Sequence, residues 1–281
     1  MDTLQGKQFR LEARLGELKS VLIAYSGGVD SAYLAWCARQ VMGLKMLAVL
    51  ADSPSLARSQ FAEAVAFAGT HHIPLKIIET SEMEKAEYVK NDLSRCFHCK
   101  NELFTKMEEA REQLGFEHLA YGMNVDDRRD FRPGQTAAQE HGVLAPLVDA
   151  DLTKADIRQL AREAGLELWD KPASACLSSR IAYGNPVTHE ALHRVEKGED
   201  YLRGLGLRQF RVRDHAGLAR IEVSREEVSA ILNEAQLKSM AEAFKNLGFT
   251  YTTLDCEGFR SGSMNEGSVY QESSQHASRL S

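Results

Sequence analysis

A short apolar run at residues 21–24 stops at Ser26-Gly27-Gly28, and a different pattern opens at Val29-Asp30-Ser31. The run has the length of a buried strand. Beyond the break, Leu34, Ala35, Ala38 and Val41 recur at helical spacing. Residues 26–31 are therefore a glycine-rich turn from a strand into a helix N-terminus. Such a turn offers unpaired backbone N–H groups at the positive end of a helix dipole, which favours an anion. Glycines let a phosphate approach the main chain closely. Ser26, Gly27, Gly28, Asp30 and Ser31 are thus the first candidate nucleotide site. Asp30 carries the wrong charge for a phosphate and suits a Mg²⁺ ion instead. The turn matches neither Gly-x-x-x-x-Gly-Lys-Ser/Thr nor Gly-x-Gly-x-x-Gly.

The neighbouring segments place this turn in a sheet. Residues 45–51 read as a second apolar strand, ending at Asp52-Ser53-Pro54-Ser55, where Pro54 or Ser55 can start a helix over 56–70. Residues 75–78 read as a third strand. Strand–helix–strand–helix–strand order predicts a parallel sheet with right-handed crossovers. Such sheets bind ligands at the carboxyl ends of their strands. Asp52 and Ser53 then lie beside the turn, near a bound adenosine, unless they serve only the local turn. Residues 117–121 read as a fourth strand, and Gly122 at its end joins the ATP-facing set. The charged stretch 126–134 that follows is expected to face substrate, with a solvated surface as the alternative. Residues 143–147 are expected as a fifth strand, and Thr153 as the N-cap of a helix over 154–164.

The fold class is α/β, a parallel sheet flanked by helices, with a smaller α+β domain at the C-terminus. The expected limits are 1–185 for the first domain, 186–264 for the second, and 265–281 for a polar, disordered tail. In the second domain Thr188 caps a helix. Strands are expected at 209–213, 219–223 and 250–254, with helices over 226–233 and 237–247.

A net charge of -6 gives no basic footprint for nucleic acid. No apolar run approaches the roughly 18 residues that span a membrane. The N-terminal stretch lacks a signal peptide's apolar core, so a cytoplasmic location is expected. The five cysteines would then be reduced, and close spacing points to metal or redox work more than to disulfides.

Cys96-x-x-Cys99 could be half of a zinc site, a redox pair or a pair of inert thiols. No second close pair exists to complete a four-cysteine zinc site. Cys176 lies in a loop of small residues. Three thiolates can hold a [4Fe–4S] cluster and leave one iron without a protein ligand, open to an exogenous sulfide. A persulfide on one cysteine, resolved by another, is the alternative. Cys37, inside a helix, reads as core, and Cys256 as an unrelated thiol.

Ser26-Gly27-Gly28-Val29-Asp30-Ser31 resembles the PP-loop of the N-type ATP pyrophosphatases, which cleave ATP between the α and β phosphates. Further stretches extend the resemblance from about residue 10 to residue 265. They are Asp130-Phe131-Arg132-Pro133-Gly134, Ala173-Ser174-Ala175-Cys176-Leu177-Ser178-Ser179-Arg180, Arg211-Val212-Arg213 and Leu254-Asp255-x-x-Gly258-Phe259-Arg260-Ser261-Gly262. Together they are similar to the LarE family, the ATP-dependent sulfur transferases of nickel-pincer nucleotide synthesis. The resemblance implies adenylation of a carboxylate of a pyridinium dicarboxylate mononucleotide, displacement of AMP by sulfur, and a homo-oligomer. In sacrificial members a cysteine in the loop corresponding to 173–180 gives up its sulfur. Three-cysteine members use an iron–sulfur cluster, and this chain has the three-cysteine pattern.

Arg180, Arg211 and Arg213 suit bidentate capture of a phosphate or carboxylate. Arg211 and Arg213 lie two apart on a strand and so share a face. Asp255 would orient substrate or an arginine. Two alternatives remain at this level, a PP-loop tRNA thiolation enzyme and an ATP-binding sensor without chemistry.

Overall fold

A computed structural model of the chain describes residues 3–129, 133–172, 175–260 and 263. In chain order these form α1 (Leu4–Gly16), β1 (Val21–Ala24), α2 (Val29–Met42), β2 (Met46–Asp52), α3 (Arg58–Thr70), β3 (Leu75–Glu79), α4 (Ala86–Val89) and α5 (Arg95–Leu114). They continue as β4 (His118–Tyr121), α6 (Pro133–Glu140), α7 (Pro146–Asp149), α8 (Lys154–Glu163), α9 (His189–Gly204), β5 (Phe210–His215), β6 (Leu218–Val223), α10 (Glu234–Asn246) and β7 (Tyr251–Leu254). The expectations for Asp130, Phe131, Arg132, Ala173, Ser174, Ser261, Gly262 and the tail 265–281 lie outside the described residues.

The chain divides into two compact units, which among the described residues span 3–85 with 94–172, and 86–93 with 175–263. The first unit is built on a parallel sheet in the order β3-β2-β1-β4. All four residues of β1 are buried, because alternate side chains enter two different cores. Val21 and Ile23 pack with Leu11, Leu34 and Ile157, whereas Leu22 and Ala24 pack with Phe104 and Met107. The strand order runs outward from β1 through β2 to β3, then returns to the other side of β1 with β4. The topological switch therefore lies between β1 and β4, where open α/β sheets place their ligands.

Residues 143–147 do not form a fifth strand. Leu144 makes a single parallel bridge to Ala120, and α7 begins at Pro146. Proline cannot donate to a ladder but fits the first turn of a helix. Helix α3 begins at Arg58 rather than at 56, without a side-chain cap. Ser53 and Ser55 instead bond each other at 2.8 Å, and the Ser55 N–H donates to the Ser53 hydroxyl at 3.0 Å.

The second unit is a three-stranded sheet in the order β5-β6-β7, with an antiparallel and a parallel pairing. One face is covered by α9 and α10, burying Leu202, Val212, Ile221 and Phe244. Thr188 caps α9 through the Ala191 N–H, as expected. The helix expected over 226–233 is only the 3₁₀ turn Val228–Ala230, because the Glu227 carboxylate turns back to accept from the Arg208 and Gln209 N–H groups. Asn91 fastens Ala86–Leu93 into this unit. Its side-chain amide donates to the carbonyls of Ile181, Ala182 and Asn185 at 3.3, 2.9 and 2.7 Å.

Candidate active site

In the first unit the glycine-rich turn leaves β1 and enters α2 with Gly28 as the N-cap residue. Its shape is held by its own serines. The Ser31 hydroxyl donates to the Gly28 carbonyl at 3.1 Å and accepts from the Ser26 N–H at 3.1 Å. Gly27 has φ +69°, and a Cβ there would stand 2.5 Å from the Ala64 Cβ of α3. Only glycine satisfies both constraints. The Tyr25 hydroxyl donates to the Ala64 carbonyl at 2.9 Å, which locks α3 against the turn. The first N–H groups of α2 point along the helix axis with no intrahelical acceptor.

Across the switch point, Gly122 follows β4. A Cβ there would lie 2.7 Å from Ser31 N and 2.8 Å from Ser31 Cα. The end of β4 and the first turn of α2 thus meet main chain to main chain. Asp52 is the last residue of β2, the strand paired with β1. Asp52 bonds the Arg58 guanidinium at 2.6 Å. Ser53 donates to the carboxylate of Glu82, which is itself buried.

Asp30 is bonded by the ammonium of Lys154, on α8. Its Oδ1 atom is buried without a hydrogen-bond partner among the described residues. Burial pushes the Asp30 carboxyl above its ordinary range, Lys154 and then the Asn124 side chain oppose that, and Asp127 adds to it. A buried carboxylate oxygen with no hydrogen-bond partner among the described residues, beside an anion-binding turn, fits a divalent cation, which Asp30 would hold. Lys171 donates to the Gly27 carbonyl at 3.1 Å and pairs with Glu63 at 2.8 Å. Sequence reasoning missed Lys154, Lys171 and Glu82 as site residues. Lys154 stands 124 positions from Asp30, and Lys171 stands 144 from Gly27, so no local pattern links them.

Cys96 and Cys99 lie near the start of α5, which begins at Arg95. Cys96 is exposed and Cys99 half-buried. Three residues apart on a helix, they share a face. Arg95 Nη2 lies 4.0 Å from the Cys96 sulfur. Cys37 is in the core, and Cys256 is exposed.

Cys176, half-buried, belongs to the second unit with the arginines. Arg180 is only 1% exposed. It pairs with Glu199 at 2.9 Å, and its Nη1 donates to the carbonyls of Ala175 and Cys176 at 2.6 and 3.0 Å. It therefore holds the main chain that carries the cysteine. Arg213 is also buried, donating to Glu222 at 2.9 Å and to the Ser179 carbonyl at 3.2 Å. Glu222 accepts from Arg220 as well, at 3.1 Å. Asp255 lies 3.7 Å from Arg220 and 3.6 Å from Arg260.

Arg211 donates to the Phe210 carbonyl at 2.7 Å and lies over the Phe259 ring. Burial, then the like charge of Arg180, draws its pKa down to about 10, with Glu199 pulling the other way. Arg180, Arg211 and Arg213 thus feel one another's charge, and each of them donates to a protein carboxylate or carbonyl. A cluster that raises the energy of its own cation is a favourable setting for an anion.

A parallel sheet whose first strand ends in Ser-Gly-Gly-Val-Asp-Ser at the switch point defines an ATP pyrophosphatase of the PP-loop class. No protein-family model matches the chain. An uncharacterized Synechocystis protein, slr1717, is 42% identical over 262 residues, 93% of this chain and 98% of that one. The pyridinium-3,5-bisthiocarboxylic acid mononucleotide synthase of Lactiplantibacillus plantarum is 34% identical over 95% of this chain and 96% of its own. A tRNA-specific 2-thiouridylase of Syntrophus aciditrophicus is 30% identical over 59% of this chain and 54% of its own. The chain belongs to the LarE family of ATP-dependent sulfur-inserting enzymes. Among the described residues no helix is long and apolar enough to cross a membrane.

Proposed function

We propose that the chain adenylates a carboxylate of pyridinium-3,5-biscarboxylic acid mononucleotide and replaces AMP with sulfur, giving a thiocarboxylate for nickel-pincer nucleotide synthesis. The observation that carries this is the 34% identity to the Lactiplantibacillus synthase, which spans both units of the chain. The chemistry needs activation, because a carboxylate is a poor electrophile and AMP a far better leaving group than oxide. Ser26, Gly27, Gly28 and Ser31 would hold the departing pyrophosphate electrostatically. Lys171, bonded to the Gly27 carbonyl, adds positive charge there. Asp52, Ser53 and Gly122 would line the adenosine side. Asp30 would hold Mg²⁺, which neutralises phosphate charge. Arg211, with Arg180 and Arg213 near it, would receive the substrate's phosphate or carboxylate, and Asp255, held by Arg220 and Arg260, would help orient it.

Cys176 handles the sulfur in this reading. In the cluster route the thiolates of Cys96, Cys99 and Cys176 would hold a [4Fe–4S] cluster with one iron free of protein ligands, which would supply sulfide. The shared helical face of Cys96 and Cys99 favours this route. In the sacrificial route the Cys176 sulfur attacks the acyl adenylate, forming a C–S bond as AMP leaves and the thiol proton is lost. Removal of the Cys176 Cα proton then breaks its Cβ–S bond, leaving dehydroalanine and the thiocarboxylate with no change in oxidation state. Cytoplasmic location and homo-oligomerisation belong to the same proposal and rest on the sequence and its resemblance.

The test supplies ATP, Mg²⁺ and the dicarboxylate mononucleotide to anaerobically purified protein. Release of AMP and pyrophosphate with oxygen-to-sulfur exchange in the product is expected. Pyrophosphate release with tRNA and none with the mononucleotide would overturn the proposal in favour of tRNA thiolation. Intact-mass analysis after one turnover separates the routes, since only the sacrificial one lowers the protein mass, by about 34 Da for the lost H₂S. A brown chromophore that survives replacement of all three cysteines by alanine would remove the cluster.

A further inference from the structure

Lys154 has no assigned part in this chemistry, yet its ammonium bonds the Asp30 carboxylate at the phosphate-binding turn. Its main chain has little freedom. It is the first residue of α8, its N–H donates to Asp126 at 2.8 Å, and the helix start is closed by the Thr153–Asp156 capping box. Lys7 clamps the same box, bonding Asp156 at 2.8 Å. What can move is the flexible four-carbon stem with its compact charge. The stem is not sealed in, since the Lys154 side chain is 35% exposed against 17% for Asp30. Asp30 meanwhile keeps one oxygen buried and without a partner among the described residues. The carboxylate is therefore charge-neutralised by an ammonium while its hydrogen-bonding capacity is only partly used.

We infer that Lys154 is a positioning residue that holds Asp30 while the metal is absent and competes with a divalent cation for that carboxylate. The inference rests on the reading of Asp30 as the residue facing Mg²⁺. The ammonium sits on Asp30 Oδ2 and the atom without a partner among the described residues is Oδ1, and two positive charges on the two oxygens of one carboxylate repel strongly at such range. Mg²⁺ gives up water reluctantly and is usually bound by one or two carboxylates together with substrate phosphates. A resident ammonium raises the threshold for the bare ion further. Metal arriving with a polyphosphate brings its own negative charge, which gives the displaced ammonium a new partner. Lys154 thereby makes metal binding depend on nucleotide, and the site does not fill with free cation.

The test uses the full chain without ATP or mononucleotide and titrates it with Mn²⁺, reading free metal by electron paramagnetic resonance. Lys154→Met should bind Mn²⁺ about tenfold more tightly than the natural chain, since it removes a unit charge from the site. Lys154→Arg, which keeps the charge, should stay at the weak natural affinity. Asp30→Asn with Lys154→Met should show no gain. Equal Mn²⁺ affinity of Lys154→Met and the natural chain, including no binding in either, overturns the inference, as does a gain in Lys154→Arg. A purely structural role for Lys154 would lower thermal stability without tightening metal binding. Because no substrate is present, this result is independent of the proposed reaction. A chain that titrates as expected but releases no pyrophosphate from ATP would sink the function and leave this inference standing.

Discussion

Gly122→Ala tests whether main-chain contact between the ends of β4 and α2 sets the geometry of the phosphate site. The added Cβ would stand 2.7 Å from Ser31 N, 2.8 Å from Ser31 Cα and 3.1 Å from the Asp30 carbonyl carbon, where ordinary contact begins near 3.4 Å. All three are backbone atoms in the first turn of α2, so no side chain can swing aside. Ser31 N must retreat by about 0.7 Å to restore contact distance. Overpacking of this kind costs about 1–3 kcal/mol, against a total stability on the order of 5–15 kcal/mol. The variant should therefore fold, with a lowered urea midpoint. The displacement falls on the N–H groups that face phosphate, and a misplacement approaching 1 Å costs on the order of 100-fold in rate. Pyrophosphate release should thus fall far more than stability does. Gly69→Ala is the control, because that helical position faces open space and alanine there stabilises by roughly 0.5–1 kcal/mol. A Gly122→Ala protein that releases pyrophosphate at the natural rate would refute the reasoning.

Asp30→Ala should abolish AMP and pyrophosphate release in a coupled phosphate assay, and unchanged release would remove its assigned role. Glu199→Gln leaves the Arg180 charge buried without its carboxylate partner and should destabilise the fold by about 3–5 kcal/mol in denaturant titration; a loss within error would show that Arg180 finds other relief. Alkaline stability carries a sign that can be checked. Burial raises the Cys37 thiol from 9.0 to about 12 and lifts the Tyr25 and Tyr33 phenols above their ordinary range. The unfolded chain then loses these protons first as pH rises, so stability is full below pH 9 and falls as pH climbs toward 12. Urea midpoints should drop between pH 8 and pH 11, less steeply in Cys37→Ala, and a flat profile would contradict the buried thiol and phenols.

By itself the sequence determined the parts whose signal is local. The apolar run of β1 and the glycines after it specify a strand, a turn and a helix through side-chain periodicity and backbone stereochemistry, and Thr153 and Thr188 mark helix starts because a cap needs only its next three residues. A parallel sheet followed from alternating strands and helices, whereas the order β3-β2-β1-β4 came only with the structure. Tertiary structure alone decided what depends on reach between distant segments. Whether Leu144 continues as a strand was settled by Pro146 and a single bridge to Ala120. Whether Arg180 and Arg213 stand free or are paired depended on Glu199 and Glu222 arriving from α9 and β6. Ala86–Leu93 joined the second unit through Asn91. Lys154 and Lys171 reached the phosphate turn from the far end of the first unit. An ion pair has no period and no turn residue to announce it. It exists only once the fold has brought two long side chains within hydrogen-bonding distance.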